Sequence, residues 1–481
     1  MGICRGDDYL ARLKDGREVW LGGERVPDVT AHPGLARGAA SIARLLDRQH
    51  DPALRDLLTY EDEDGGRSAM AFLPPKSADD VARRGAAMYD WAKWSGGMLG
   101  RTPDYLNGSF MAFAGAASFF GANRPEFAAN IRAYYDHIRR ADLVLTHTLV
   151  NPGYSRAPGT HGVPAPEVAL HAVRETDAGV IVRGARLLAT LGPLSDEIAV
   201  FPSTVLKADD ASSPFALAFA IPSATPGLKF ICRDSYDEGK PPFDAPLAAR
   251  FEEMDAVVVF DDVLVPWERL FLYRDAALCN RVFADTDAVV HMMHQVACKN
   301  LAKAELIVGL LCAMCRANAR DRDLAAQGQI AEAMWVAESM RAFLFAAERQ
   351  AAEGRWGLYV PARRPLDTAR NLFPRMYPRL VELVQLLGAS SLVATPSEAD
   401  FEAEIGPDLE RYFALVNLPA RERVALYRLA ADVAVSGFGA RQTLYERFFF
   451  GPQHLMASVY FELYDKEPYI ERVRELLARD A

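Results

Sequence analysis

The chain has 481 residues, half of them hydrophobic, and 54 Lys and Arg against 64 Asp and Glu give it a formal net charge of −10. That length and apolar content call for two or three packed regions rather than one simple core. The charge is spread and no basic cluster is interleaved with aromatics, so nucleic acid is excluded as a partner.

No apolar run approaches the ~18 residues of a membrane span. The start, Met1-Gly2-Ile3-Cys4-Arg5-Gly6, lacks both the apolar core of a signal peptide and the Ser or Thr that acylation requires at position six. A cytoplasmic protein without membrane association is expected. The six cysteines (4, 232, 279, 298, 312 and 315) are scattered, which predicts buried thiols rather than disulfides. Cys312 and Cys315 have metal-like spacing, but they lie in a helical run with no second pair nearby, so no metal site is expected.

In chain order, residues 1–60 mix turn signals (Asp15-Gly16, Gly22-Gly23, His32-Pro33) with a helical stretch over 35–48, the pattern of a wrapping arm. Ser77 followed by Asp79 and Asp80 reads as a cap with an acidic first turn and predicts a helix to Trp94. A second helix should follow Tyr105 and a third should run from Pro125 to Arg140. From Val168 the pattern changes to short apolar or alternating runs over 168–174, 179–182, 187–189, 198–202, 215–221, 228–232 and 256–260. Turn signals such as Gly192-Pro193 and Pro226-Gly227 separate them, as in an antiparallel sheet or small barrel. Beyond Pro266, amphipathic runs over 291–320, 325–354, 371–387 and 421–450 predict a four-helix bundle. The expected fold is α+β, mostly α. It has an N-terminal arm and helical domain over 1–142, a middle β-domain over 143–270, and a C-terminal bundle and tail over 271–481.

The candidate active site is Arg101-Thr102-Pro103-Asp104-Tyr105 read together with His147. A permanently charged arginine, a phenol and an imidazole that titrates near neutrality can hold an oxyanion and move one proton, which suits a hydroxylated aromatic substrate. Pro103 fixes its own φ and pushes Thr102 out of the helical region, placing Arg101 on a rigid turn before a helix. Tyr105, one turn on, should face the same cleft. If His147 takes a phenolic proton, turnover should rise with pH through a histidine-like pKa.

Several stretches resemble the 4-hydroxyphenylacetate 3-monooxygenase family in the same order along nearly the whole chain. They are Arg101 to Asn107, Thr146 to Pro152 with Arg156, Glu175 to Thr190, Asp261 to Glu268, Ser436 to Gln442 and Tyr445 to Gly451. The resemblance implies the acyl-CoA dehydrogenase-like fold. It implies an oxygenase that takes FADH2 from a separate NAD(P)H-dependent flavin reductase, traps O2 as the flavin C4a-hydroperoxide and hydroxylates a para-substituted phenol ortho to its hydroxyl. It also implies a homotetramer joined through the C-terminal helices.

The cofactor contacts it implies are Asn151, Gly153, Tyr154, Ser155 and Arg156, then Thr190, then Gly437, Phe438, Gly439, Ala440, Arg441 and Gln442. In that last segment the glycines would let backbone approach a ligand and Arg441 would meet a phosphate. The implied substrate contacts are Arg101, Tyr105 and His147, with Ser203 and Thr204 at the far end. The acidic loop over 207–214 is an awkward receiver for a carboxylate, so the phenol is expected to be 4-hydroxyphenylacetate-like or else larger or differently charged, free or carrier-linked. The choice between FAD and FMN stays open.

Three other readings use the same fold. An ordinary acyl-CoA dehydrogenase would need a carboxylate base over the flavin, and nothing in the sequence marks such a glutamate. A 4-hydroxybutyryl-CoA dehydratase-like enzyme would need an iron–sulfur cluster; His291 and Cys298 resemble part of its ligand set, but residues 99–105 contain no cysteine. A non-catalytic helical scaffold would have no use for Arg101, Tyr105 and His147 together.

Overall fold

The structure is a computed structural model that describes residues 2–152, 168–202, 206–207, 209–210 and 213–478. The N-terminal arm does more than wrap. Its strands β1 (Glu18–Leu21) and β2 (Glu24–Val26) form a hairpin whose first strand pairs in parallel with a strand more than 200 residues away. Three- and four-residue strands carry too little periodicity to register in sequence.

The helical part follows. Ser77 accepts a hydrogen bond from the Asp80 N–H at 3.1 Å and opens helix α1 (Ala78–Trp94). A turn through Gly96 and Gly97, with φ of 60° and 72°, leads to α2 (Asp104–Gly115), and α3 (Pro125–Ala141) has proline in its first turn.

The middle of the chain holds two sheets. Strands β3 (Leu145–Thr148), β4 (His171–Thr176), β5 (Gly179–Thr190), β6 (Glu197–Val200), β7 (Leu217–Pro222), β8 (Leu228–Cys232), β9 (Asp255–Pro266) and β10 (Leu270–Tyr273) follow in order. Six strands pair as β2-β1-β8-β9-β5-β4 and four as β10-β7-β6-β3. The runs read as separate strands at 179–182 and 187–189 are one strand, β5, kept continuous by its long ladder with β9. The sheets are mostly antiparallel, but β1 with β8 and β3 with β6 are parallel. Their facing sides meet through packed aromatics such as Phe219 and Phe260, whose ring centroids are 6.1 Å apart.

The bundle comprises α4 (Ala288–Ala317), α5 (Leu324–Arg349), α6 (Arg363–Gly388), α7 (Ala420–Ala434) and α8 (Gly437–Phe448). The run 421–450 is two helices, because Ser436 breaks it and caps the second by accepting from the Gly439 N–H at 3.0 Å. Helix α6 starts eight residues before the expected Asn371 and carries Pro374 and Pro378 within it. Two further helices, α9 (Gln453–Leu463) and α10 (Glu467–Ala478), have no buried residue.

Candidate active site

The turn between α1 and α2 is pinned from three sides. Gly97 lies so close to α4 that a Cβ would sit 2.7 Å from the Lys299 carbonyl oxygen. The Glu253 carboxylate accepts from the backbone N–H groups of Gly100 and Arg101 at 3.0 Å. Gln295 of α4 donates to the Thr102 hydroxyl at 3.1 Å, and that hydroxyl donates to Asp104 Oδ1 at 2.5 Å. Arg101 therefore projects from a fixed backbone.

Its guanidinium carbon lies 4.4 Å from the Tyr105 ring centroid and 4.2 Å from that of Phe449, against both rings, which meet each other edge-on at 5.7 Å. Nη1 donates to the Tyr445 hydroxyl at 2.7 Å. His147 arrives from the other direction on β3. Thr146 and Thr148 turn toward β5, bonding the carbonyls of Thr190 and Leu187, so strand alternation turns His147 the opposite way. Its ring centroid is 5.7 Å from that of Tyr105. The three side chains chosen from sequence thus form one cluster, about 9% exposed or less.

Burial sets the electrostatics. Desolvation, reinforced by the Arg101 charge, holds the His147 imidazole well below its ordinary 6.5, so it is neutral at physiological pH. Desolvation pushes the Tyr105 phenol up to about 12 against the pull of Arg101, and lifts the Asp104 carboxyl to about 6. His147 Nδ1 and Asn151 Oδ1 are buried with no hydrogen-bond partner among the described residues. Unpaired buried polar atoms are costly, and a bound ligand would satisfy them.

The residues expected at the cofactor divide. Thr190 lies beside the strand that carries His147, its carbonyl accepting from Thr146, and Asn151 follows that strand; next to them Val150 is 42% and Leu188 62% exposed among the described residues, the latter at φ 61°. An uncovered apolar patch beside orphaned polar atoms fits a flat heteroaromatic ring. Arg441 is engaged within the chain. Nε and Nη2 sit bidentate on Asp255 at 2.9 and 2.7 Å and Nη1 donates to Glu253 at 2.8 Å, so two carboxylates face the fork and take three of its five N–H groups.

Gln442 is similarly occupied, donating to the Met98 carbonyl and accepting from Lys303. The glycines of this segment serve the chain itself. A Cβ on Gly437 would meet the Tyr236 ring at 2.8 Å, and one on Gly439 the Val433 carbonyl oxygen at 2.2 Å. Phe438 is buried and Ala440 exposed. Gly153, Tyr154, Ser155, Arg156, Ser203 and Thr204 lie outside the described residues.

Sequence reasoning missed the groups that hold the turn. Asp255 stands opposite Thr190 in the β5–β9 ladder and accepts its hydroxyl at 2.6 Å, so Thr190, Asp255, Arg441, Glu253 and the Arg101 backbone form one continuous network. The available signal was Glu252-Glu253-Met254-Asp255, an acidic cluster opening an apolar strand, where charge makes sense only if paired inside. Tyr445 and Phe449, four apart on a helical run, were the other signal. Of the pair weighed as cluster ligands, His291 Nδ1 faces Arg84 at 3.1 Å, and the Cys298 thiol points at the Gly85 carbonyl.

A helical part, a two-sheet middle and a helical bundle enclosing a desolvated arginine–tyrosine–histidine cluster define an enzyme of the acyl-CoA dehydrogenase-like fold. The model for the N-terminal part of 4-hydroxyphenylacetate 3-hydroxylase matches residues 5–272, and that for its C-terminal part residues 279–478. The chain is 48% identical over 473 residues to the 4-hydroxyphenylacetate 3-monooxygenase oxygenase component of Thermus thermophilus, covering 98% of this chain and 97% of that one. It is 36% identical over 459 residues to a Streptomyces globisporus monooxygenase acting on a peptidyl-carrier-bound 3-amino-3-(3-chloro-4-hydroxyphenyl)propanoyl group, covering 93% and 84%.

A crystal structure of a 4-hydroxyphenylacetate 3-monooxygenase oxygenase component with FAD and 4-hydroxyphenylacetate superposes with a TM-score of 0.94 at 47% identity, covering 99% of each chain. An archaeal 4-hydroxybutyryl-CoA dehydratase from N. maritimus, 18% identical, shares the fold at a TM-score of 0.87 over 99% of this chain and 95% of that one. The chain belongs to the 4-hydroxyphenylacetate 3-hydroxylase family.

Proposed function

We propose that this protein is the oxygenase component of a two-component monooxygenase that hydroxylates a para-substituted phenol ortho to its hydroxyl, using FADH2 delivered by a separate reductase. The observation that carries the reading is the Arg101 guanidinium held against Tyr105 and Phe449, with the unpartnered Nδ1 of His147 beside Tyr105. Asn151 and Thr190, with Val150 and Leu188 against the ring, would hold the flavin. When bound and reduced, the flavin supplies two electrons to O2 and makes one oxygen atom available to an electron-rich ring.

The chain's own residues prepare that ring. A phenol reacts best as its phenolate, and an ordinary phenol has a pKa near 10, at least ~3.5 units above the His147 imidazole, a gap of about 5 kcal/mol. His147 alone cannot close it. Arg101 offsets it by placing a fixed positive charge at the phenolate oxygen in a site with little water to screen the attraction. His147 Nδ1 then accepts the proton, or shares it in a hydrogen bond, and Tyr105, protonated throughout the neutral range, donates its own hydrogen bond to the same oxygen. Burial keeps stray protons and water from the reacting atoms.

The substrate we favour is a free phenol close to 4-hydroxyphenylacetate, because similarity to enzymes named for it exceeds similarity to the one acting on a carrier-bound group. The exposed apolar faces of α9 and α10 support a homotetramer. No helix among the described residues is long and apolar enough to cross a membrane. The test is to mix anaerobically reduced FAD and protein with oxygenated buffer and 4-hydroxyphenylacetate and to measure the catechol product. Stoichiometric product is expected. A tightly held oxidised flavin reduced directly by NADH would overturn the two-component assignment.

A further inference from the structure

We propose that Tyr445 is a positioning residue for Arg101, its phenolic oxygen holding the guanidinium against the rings of Tyr105 and Phe449. The proposal deepens the functional reading above and rests on it.

Tyr445 lies in the last turn of α8, and its hydroxyl makes two bonds of opposite sense. It accepts from Arg101 Nη1 at 2.7 Å and donates to the Gly100 carbonyl at 3.1 Å, so one oxygen ties the guanidinium to the backbone from which it springs. A Cβ on Gly100 would lie 2.5 Å from that hydroxyl oxygen. Glycine at 100 is therefore explained by the tyrosine, since Gly100 is not among the residues at positive φ. One turn on, Phe449 packs its ring 5.0 Å from that of Tyr445 and supplies the second wall against Arg101.

The helix bearing Tyr445 cannot follow Arg101 if the arginine moves. Glu446 is fixed by Lys299 and Lys303, whose ammonium groups both donate to its Oε1 at 2.5 and 2.6 Å in full burial. Arg441, one turn earlier, is locked to Asp255 and Glu253. Burial pushes the Tyr445 phenol well above 10, so it keeps its proton and both bonds across the working pH range. An arginine has many rotamers to lose, and a fixed partner restricts it to the one that faces the site.

Tyr445→Phe removes the oxygen and keeps the ring. We measure catechol formed per FADH2 oxidised in a single turnover with 4-hydroxyphenylacetate, the anaerobic Kd for FADH2, and the crystal structure of the variant. Product yield is expected to fall about tenfold, ~1.4 kcal/mol in the competing barriers, with the Kd changed less than about twofold. In an Arg101→Lys background the same substitution should add less than about twofold, because an effect that acts through Arg101 is lost with it. Gly100→Ala, which retains Tyr445 but drives its hydroxyl away, should reproduce the loss and decides the matter if Tyr445→Phe does not fold.

Parental yield in both variants, or a loss that simply multiplies with that of Arg101→Lys, overturns the proposal. Should the parent bind FADH2 yet hydroxylate no phenol, the hydroxylase reading falls. The crystal structure then decides the positioning claim: Arg101 displaced from its place against the two rings supports it, and Arg101 unmoved overturns it.

Discussion

Arg441 on α8 lies bidentate on Asp255 of β9, 2.9 and 2.7 Å between paired atoms, with both side chains buried. The pair joins the C-terminal bundle to the sheet beneath the active-site turn. Arg233 also pairs with Asp255, at 2.9 Å, but Arg441 is the ion-pair partner of buried Glu253 as well, so Arg441→Met leaves uncompensated carboxylate charge in a desolvated site and should cost about 3 kcal/mol. The arginines hold the Asp255 carboxyl below the ordinary carboxylate range. Its contribution is therefore complete above its unfolded pKa of about 3.9 and drains away as the pH falls below it. Chemical denaturation at pH 7 measures the loss. Unchanged stability with weakened FADH2 binding would instead return Arg441 to a cofactor phosphate.

His147 gives the second prediction, and the sign differs from that of a histidine titrating near 6.5. With its pKa held well below that value by burial and Arg101, the imidazole is already neutral between pH 6 and 8. The hydroxylation step should show no histidine-like rise there, and His147→Asn should lower its rate by a roughly constant factor across that range. About 10²-fold is the lower end expected for a general base. A more acidic phenol, ionised without help, should recover much of the loss. Equal losses with both phenols would remove the proton-accepting role.

The fold and the core of the site were legible for different reasons. Long helices with clean apolar spacing, such as α1 and α3, announce themselves because one local period serves one core. Short strands do not: β1 and β2 become strands only through partners far along the chain, and β5 read as two fragments because its middle residues pair rather than alternate. Arg101, Tyr105 and His147 stood out as chemistry-bearing types on a constrained turn. Glu253, Asp255 and Tyr445 did not, because their roles are contacts across more than 150 residues: the acidic run at 252–255 and the 445/449 spacing signal buried, paired groups but not the partners they meet. The carboxylate partners of Arg441 were hidden for the same reason, since they lie on another element.

Lys299 provides a prediction of opposite sign to Arg441. It shares one carboxylate oxygen with Lys303, and desolvation brings its ammonium down to about 7 even against the pull of Glu446. Between pH 7 and the unfolded value near 10.4 the unfolded chain binds a proton that the folded chain does not, so this penalty on folding shrinks as pH rises. Lys299→Met leaves Glu446 paired with Lys303 alone. The variant should be more stable than the parent by about 1–2 kcal/mol at pH 6, within the range seen when buried charge is replaced by apolar volume. The difference should narrow by pH 9. Thermal unfolding at the two pH values checks it, and a variant less stable at pH 6 would show that Lys299 is needed for the pairing.

The C-terminal helices lead to the last prediction. Neither α9 nor α10 buries a residue against the rest of the chain, yet together they expose Leu455, Val459, Phe461, Leu463, Tyr469, Ile470, Val473, Leu476 and Leu477. Apolar faces of that extent are not left in water at ~25 cal/mol per Å². Since the same faces exist on every copy, a symmetric contact buries two at once. Light scattering should find a tetramer for the parent chain. Val473→Asp combined with Leu477→Asp places two charges one turn apart on that face and should shift the distribution to smaller species, with a concentration-dependent Tm, while leaving the far-ultraviolet dichroism near parental. A monomeric parent, or a tetramer indifferent to both charges, would mean that another surface carries the assembly.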